Sequence, residues 1–270
     1  MTTENNILIA GGYGIVGRQA ATLIRQRHPD LPLAIAGRNI DNRTNYSHPF
    51  PRHVAVIGAA GGLGQAILSL CRETGIEFTA IVRSRPERIT DIPSVSRVAV
   101  VPSLANRPAL TIAFNGADAV LTALSVTSTS LDRSALLSEN MATVEQAMLA
   151  ASVNRIVLIN TLLSSLPGKP ASLAMRFFSW IPGIIGRGAT EQQAVVDALG
   201  RGEFSSLRWT LVRGGLNAAG NAEPPVASAD WAGAMNSWKP VSYRAMGRWM
   251  LAEAAANQFI WAAPLVSRRR

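Results

Sequence analysis

Cysteine, histidine, lysine and tyrosine are all scarce in this 270-residue chain, and each shortage excludes a kind of chemistry. The one cysteine, Cys71, rules out an internal disulfide and a structural zinc site built from thiolates. The three histidines, His28, His48 and His53, all lie in the first fifth. Nothing beyond His53 can therefore supply a histidine-based triad or a histidine metal ligand, and no metal site is expected. Charged residues amount to 16%, well below the usual quarter, which argues against disorder and coiled coil. The longest uncharged apolar run near the end, residues 254–267, falls short of the ~20 residues that a bilayer span needs. Residues 1–6 are polar, carry Glu4 and lack a signal-peptide pattern. The expectation is a cytoplasmic protein with no membrane span.

The net charge of +9 raises the question of nucleic acid. Apart from Lys169 and Lys239, the basic residues are all arginine, scattered without a basic helix or an interleaved aromatic platform. That pattern argues against a nucleic-acid partner and leaves a small-molecule ligand as the expectation. The closing Arg268, Arg269 and Arg270 read as a solvated tail.

An internal repeat organises the first third of the chain. Residues 6–39 and residues 53–85 each contain a short apolar strand, a glycine-rich turn, an amphipathic helix and a second apolar strand. Gly11, Gly14 and Gly17 recur as Gly58, Gly61 and Gly64, each displaced by 47 residues. Between the copies the chain is polar and holds Pro49 and Pro51, which reads as a linker. The expected domains are a βαβ extension over residues 1–45, a linker over 46–51 and a main domain over 52–266.

Only the second copy continues into a full domain. Strands are expected around residues 98–101, 119–124, 155–160 and 209–212. A long helix is expected over residues 132–151, with Met141, Val144, Met148 and Ala151 on one face. Thr190-Glu-Gln-Gln193 has the capping-box pattern of a helix start, and a last helix is expected over residues 243–256. Strands alternating with helices predict an α/β fold, a doubly wound parallel sheet of Rossmann-like type with an N-terminal βαβ extension.

A glycine turn between a strand and a helix has a known use. The first glycine permits the bend, the second lets a pyrophosphate approach the backbone, and the third lets helix and strand pack closely. The anion then rests on amides at the positive end of the helix. The other reading, a tight turn with no ligand, stays open for the first copy, because no third or fourth strand follows it. An NAD site usually carries an acidic residue about 20 positions further on. Here that place holds Arg83, in Val82-Arg83-Ser84-Arg85, and the first copy has Arg38 in the corresponding position. Guanidinium groups suit a 2′-phosphate, so NADP is expected in preference to NAD. A solvated arginine at a strand end is the plainer alternative.

Residues 52–266 resemble the atypical short-chain dehydrogenase/reductase superfamily, the NAD(P)H-binding branch that includes NmrA-like proteins and flavin or biliverdin reductases. The resemblance rests on Gly58-x-x-Gly61-x-x-Gly64, Val82-Arg83, Gly116-Ala-Asp-Ala-Val120, Glu139-Asn140-Met-Ala-Thr143, Val153-Asn-Arg-Ile-Val157, and Trp209-Thr-Leu-Val-Arg213 with Glu191 upstream. Residues 6–39 separately resemble the opening βαβ of saccharopine-dehydrogenase-like NADP-binding domains, through Gly-Gly-Tyr-Gly-Ile-Val-Gly17 and Ala-Gly-Arg-Asn39. The residues expected at the cofactor are Gly58, Gly61, Gly62, Leu63, Gly64, Arg83, Ser84, Arg85, Ser103, Leu104 and Ser125. Ser103-Leu104 stands where the family usually has Asp-Leu or Asp-Val, so an adenine contact from a carboxylate is missing. Arg213-Gly214-Gly215 replaces the family's Arg-Pro-Gly.

The family's Tyr-x-x-x-Lys pair is also missing. Tyr13, Tyr46 and Tyr243 all lie outside the stretch where that tyrosine belongs, and Ser165-x-x-x-Lys169 offers a serine in its place. Thr161 and Ser164, after the fifth strand, and Asn140, on the fourth helix, remain as candidate catalytic residues. For each, an ordinary cap, turn or packing role is the alternative. The resemblance implies an NADP(H)-dependent oxidoreductase acting on a small-molecule substrate; the alternative is a non-enzymatic NADP-binding regulator or assembly factor.

Overall fold

The computed structural model describes residues 7–10, 33–36, 50–124, 136–217, 223–228, 235–236 and 240–269. The chain divides into two compact units, Met1–Ser47 and His48–Arg270. In the first, β1 (Ile7–Ala10) and β2 (Leu33–Ala36) pair in parallel, with Ile7 opposite Leu33 and Ala10 opposite Ala36.

Among the described residues the main sheet of the second unit has nine strands. In chain order they are β3 (His53–Ile57), β4 (Glu77–Val82), β5 (Arg97–Val100), β6 (Ala119–Thr122), β7 (Arg155–Thr161), β8 (Arg208–Gly214), β10 (Val226–Ser228), β11 (Met235–Asn236) and β13 (Leu265–Arg269). Their order across the sheet is β10-β13-β8-β7-β6-β3-β4-β5, with β11 also on β13. From β5 to β13 every pairing is parallel, and only β10 and β11 run antiparallel. A separate parallel pair joins β9 (Leu216–Asn217) to β12 (Val241–Ser242). The helices are α1 (Gly62–Thr74), α2 (Arg107–Phe114), α3 (Leu137–Ala150), α4 (Leu173–Trp180), α5 (Ile184–Gly200) and α6 (Tyr243–Ala256).

The sheet is central because its strands are apolar on both faces. Side chains of a strand alternate between the two faces, and a sheet covered twice needs both sets apolar. Val54, Val56, Leu121, Val157 and Val212 enter one core layer beneath α1 and α6. Ala55, Ile57, Val120, Ile156, Leu158 and Leu211 enter the other, beneath α2, α3 and α5. One residue of offset therefore moves a side chain from one layer to the other. The strand order reverses between β3 and β6, which makes their carboxyl ends the crevice where sheets of this kind take ligands.

The buried polar groups at the opposite end of the sheet are structural. Arg155 opens β7 and donates to Glu253 Oε1 at 2.9 Å, to Thr210 Oγ1 at 2.8 Å and to the Arg208 carbonyl at 2.7 Å. Glu253, on α6, also accepts from the Phe259 amide at 2.9 Å. Burial lowers the Arg155 guanidinium to about 10 and pushes the Glu253 carboxyl upward. Mutual charge and these hydrogen bonds offset that desolvation and lock α6 to the strand ends.

Three expectations differ from what is observed. Arg268 and Arg269, expected in a solvated tail, close β13 and pair with β11. The long helix begins at Leu137, because Leu136 is still extended at φ −83° and ψ 134°. The helix expected to open at Thr190 starts at Ile184 instead, and Thr190 sits inside it with its hydroxyl donating to the Gly186 carbonyl at 2.8 Å. A threonine that bonds back one turn is as compatible with a helix interior as with a cap, so the local pattern misplaced the boundary.

Candidate functional site

The crevice at the reversal point is shaped by glycines that cannot carry a side chain. Gly58 adopts φ +82°, and a Cβ there would lie 2.8 Å from the Ala123 carbonyl oxygen at the end of β6. A Cβ on Gly64 would lie 2.4 Å from the Gly58 oxygen and 2.7 Å from Ala59 Cα, so the third glycine lets α1 press against its own turn. Gly61 differs: its backbone is ordinary, at φ −80° and ψ 169°, and a Cβ would meet only Gly58 O at 3.3 Å and Ala123 O at 3.7 Å. Its backbone conformation does not require glycine, a Cβ would ask the Gly58 oxygen to give by only a few tenths of an ångström, and it stands at the N-cap of α1. No side chain caps that helix and its first turn carries no acidic residue, so the amides and their partial positive charge face the crevice.

A cavity of about 290 Å³ continues from this turn. Gly62 and Leu63 of α1 line it together with Ala123 and Leu124 after β6, Asn160 and Thr161 at the end of β7, Gln192 of α5, and Gly214, Gly215 and Leu216. Tyr243 completes the wall, with its ring so placed that a Cβ on Gly62 would be 2.6 Å from Cε2. It reaches the cavity because Ser242 caps α6, accepting from the Ala245 amide at 3.1 Å, and because β12 pairs with β9 just past β8. A tyrosine far along the chain is thus delivered to the phosphate-turn side of the cavity. Sequence reasoning placed Tyr243 at the start of the last helix but had no signal for this pairing.

Several expected site residues prove to be occupied locally. The Ser164 hydroxyl donates to the Thr161 carbonyl at 2.8 Å, and the Ser164 carbonyl accepts from Arg213 Nη1 at 3.1 Å. Asn140 is buried on α3 and its Nδ2 donates to the Leu136 carbonyl at 2.7 Å, away from the cavity lining. The Ser103 hydroxyl accepts from the Ala105 amide at 3.0 Å, and Leu104 is packed into the α2–α3 layer. Arg83, Ser84 and Arg85 are exposed in the turn following β4, with Arg85 at φ +61°. Ser125 lies outside the described residues. Asn160, which was not expected, is held at both ends: its Nδ2 donates to the Gln192 carbonyl at 2.9 Å and its Oδ1 accepts from the Thr161 amide at 2.7 Å. The Thr161 hydroxyl, which accepts from the Leu163 amide at 3.4 Å, the Tyr243 hydroxyl and the Gln192 side chain are the remaining polar side-chain groups of the lining. Among the described residues no cluster of histidine, cysteine, aspartate or glutamate has the makings of a metal site.

These features fit a dinucleotide. The Gly61 position is a cradle that a side chain would fill, the helix start offers amides without a competing carboxylate, and the cavity adjoins both. A family model described as NAD(P)H-binding matches residues 58–256. Solved structures share the architecture at low identity. A short-chain dehydrogenase/reductase (wide type) from Veillonella parvula, in complex with NADP, is 20% identical, with 81% of this chain and 95% of that one covered at a TM-score of 0.57. An oxidoreductase from Lactococcus lactis is 15% identical, with 81% and 91% covered at a TM-score of 0.59. A Rossmann-fold NAD(P)-binding family protein from Shigella flexneri is 18% identical, with 80% and 93% covered at a TM-score of 0.56. No curated protein matches the chain. The glycine turn, the strand order that reverses beside it and the extent of the family match agree: this chain belongs to the NAD(P)H-binding family and has a Rossmann-like fold.

Proposed function

We propose that the chain is an NADP(H)-dependent oxidoreductase of the atypical short-chain type that works without a Tyr-x-x-x-Lys pair. The observation that carries this reading is the continuity of the crevice: Gly62 and Leu63, from the end of α1 that would hold the pyrophosphate, share one cavity with Thr161, Gly215 and Tyr243. Gly58, Gly61, Gly62, Leu63 and Gly64 would supply the turn and its amides. Arg83, Ser84 and Arg85 would take the 2′-phosphate, with Ser103, Leu104 and Ser125 nearer the adenosine and nicotinamide ends. The nicotinamide, when bound, supplies hydride chemistry. Thr161 and Tyr243 orient the carbonyl or comparable acceptor group of a small-molecule substrate. Ser164 and Asn140 are positioning residues, the first through its bond to the Thr161 carbonyl and the second through the start of α3.

The second reading, an NADP-binding regulator or assembly factor, is favoured by the place of Lys169. It is exposed in a turn whose Ser165 hydroxyl donates to its carbonyl at 3.3 Å, and it does not line the cavity. Oxidation of NADPH with flavin, quinone and carbonyl acceptors separates the two. Turnover that falls in Tyr243→Phe and Thr161→Val while NADPH affinity is kept supports the enzyme. NADPH binding with no turnover on any acceptor supports the regulator, and no binding refutes both.

A further inference from the structure

Between Glu145 and Glu191 the chain has no acidic residue at all. Residues 162–190 leave the cavity wall at Thr161 and return to it at Gln192, and they build α4 and the first turns of α5. In α4, Met175 alone is buried. Leu173, Phe177 and Trp180 are 81%, 64% and 86% exposed. At 100° per residue these three lie within about 60° of one another, with Met175 on the opposite side. Ile185, at the start of α5, and Leu166, before α4, are also exposed. Lys169, Arg176 and Arg187 are exposed in the same stretch, and Arg176 sits at the edge of the apolar stripe by its helical angle.

The stripe is preformed. The Ser172 hydroxyl donates to the Leu163 carbonyl at 2.7 Å and accepts from the Met175 amide at 3.1 Å, which ties the start of α4 to the segment following β7. Gly186 presses into the corner between the helices, where a Cβ would lie 2.0 Å from the Ile181 oxygen. A rigid, exposed row of leucine, phenylalanine and tryptophan, flanked by cations and free of carboxylates, has the composition of a helix that lies in a lipid interface. The charge selects the surface: basic groups gain near an anionic leaflet and nothing near a neutral one. Among the described residues no helix is long and apolar enough to cross a membrane, so the contact would be peripheral.

We propose that the α4–α5 face docks onto an anionic lipid bilayer, with Leu173, Phe177 and Trp180 in the interface and Lys169, Arg176 and Arg187 at the headgroups. The segment that carries the docked face leaves the cavity wall at Thr161 and returns to it at Gln192, so docking would bring the cavity towards lipophilic acceptors. That last consequence alone rests on the oxidoreductase reading; the docking does not.

Co-sedimentation of the full chain with vesicles tests this without any turnover. Phosphatidylcholine alone is compared with an equal mixture of phosphatidylcholine and phosphatidylglycerol. Binding is expected only to the mixture, weakened by added salt and reduced about tenfold or more by Phe177→Ser with Trp180→Ser. Because both side chains are exposed, thermal unfolding and NADPH affinity of this variant should match the wild type. Arg176→Glu gives a second measure through charge alone. Equal binding to both vesicle types, or to neither, overturns the proposal. So does a soluble dimer that the serine variant dissociates, since the face would then be covered by a second copy.

Discussion

The glycines of the turn differ in what they do, and substituting Gly61, Gly62 and Gly64 separates folding from binding. At Gly64 the displaced atoms are backbone: Gly58 O at 2.4 Å, with Ala59 Cα and Ala59 O at 2.7 Å. An ordinary contact needs about 1 Å more, so Gly64→Ala must push α1 off its turn, and overpacking of this kind costs about 1–3 kcal/mol. For a domain of this size that is a fall in Tm of roughly 2–12 °C. At Gly61 the backbone is already extended and the tightest Cβ contact is 3.3 Å, so Gly61→Val should lower Tm less than Gly64→Ala does. The valine instead occupies the space over the α1 amides. A hydrogen bond from an amide to a charged oxygen is worth about 1.5–3 kcal/mol, so each one lost weakens NADPH by roughly tenfold to a hundredfold. Calorimetric melting and titration with NADPH on the same preparations read both effects. Wild-type NADPH affinity in Gly61→Val would refute the phosphate assignment, and equal destabilisation by both variants would refute the separation of roles. The three atoms nearest to a Cβ on Gly62 are all ring atoms of Tyr243, so the effect of Gly62→Ala should shrink in a Tyr243→Ala background.

Other consequences are open to measurement. Arg83→Ala should weaken NADP by about tenfold or more and leave NAD nearly unchanged, and equal weakening of both would assign Arg83 a purely structural part. Glu253→Ala leaves the Arg155 guanidinium buried without its carboxylate and should cost about 3–5 kcal/mol in urea unfolding. That site lies six residues, about 20 Å, along β7 from Thr161, so NADPH affinity should survive, and a loss of less than ~1 kcal/mol would mean the pair is not buried as described. His53 Nδ1 donates to the Gly116 carbonyl at 3.0 Å and Nε2 lies 2.9 Å from Thr79 Oγ1, a hydroxyl from which the neutral ring accepts. Burial lowers its pKa, so its contribution is full above the ordinary value of 6.5 and is lost as pH falls towards the lower folded value. Relative to His53→Gln, the wild type should lose stability as pH falls below the ordinary histidine value; a gap that stays constant as the solution is acidified would contradict this. Burial raises the Cys71 thiol to about 12, so a thiol reagent should label it only on unfolding.

Much of this protein could be read from local order alone. Alternating burial requires runs such as Val54-Ala-Val-Ile57 to be apolar throughout, so a two-sided sheet shows as unbroken apolar strands. The spacing of Gly58, Gly61 and Gly64 carries the turn because each distance is fixed by the geometry of one strand end and one helix start. The span of α6, Tyr243–Ala256, also follows from its own periodicity and its serine cap. What the chain conceals is whatever depends on a partner far along it. Ser164, Asn140 and Ser103 have the chemistry of site residues, but nearby carbonyls and amides claim their polar atoms first. Tyr243 looks like the unremarked first residue of a helix until β12 pairs with β9 and swings it onto Gly62. The apolar face of α4 has the periodicity of a core helix, and only the packing of Met175 on the other side shows that it faces outward. Local sequence fixes backbone shape, because propensity and spacing act over a few residues. Which polar groups are left to meet a ligand is decided by tertiary contacts, because those contacts determine which donors and acceptors are already satisfied.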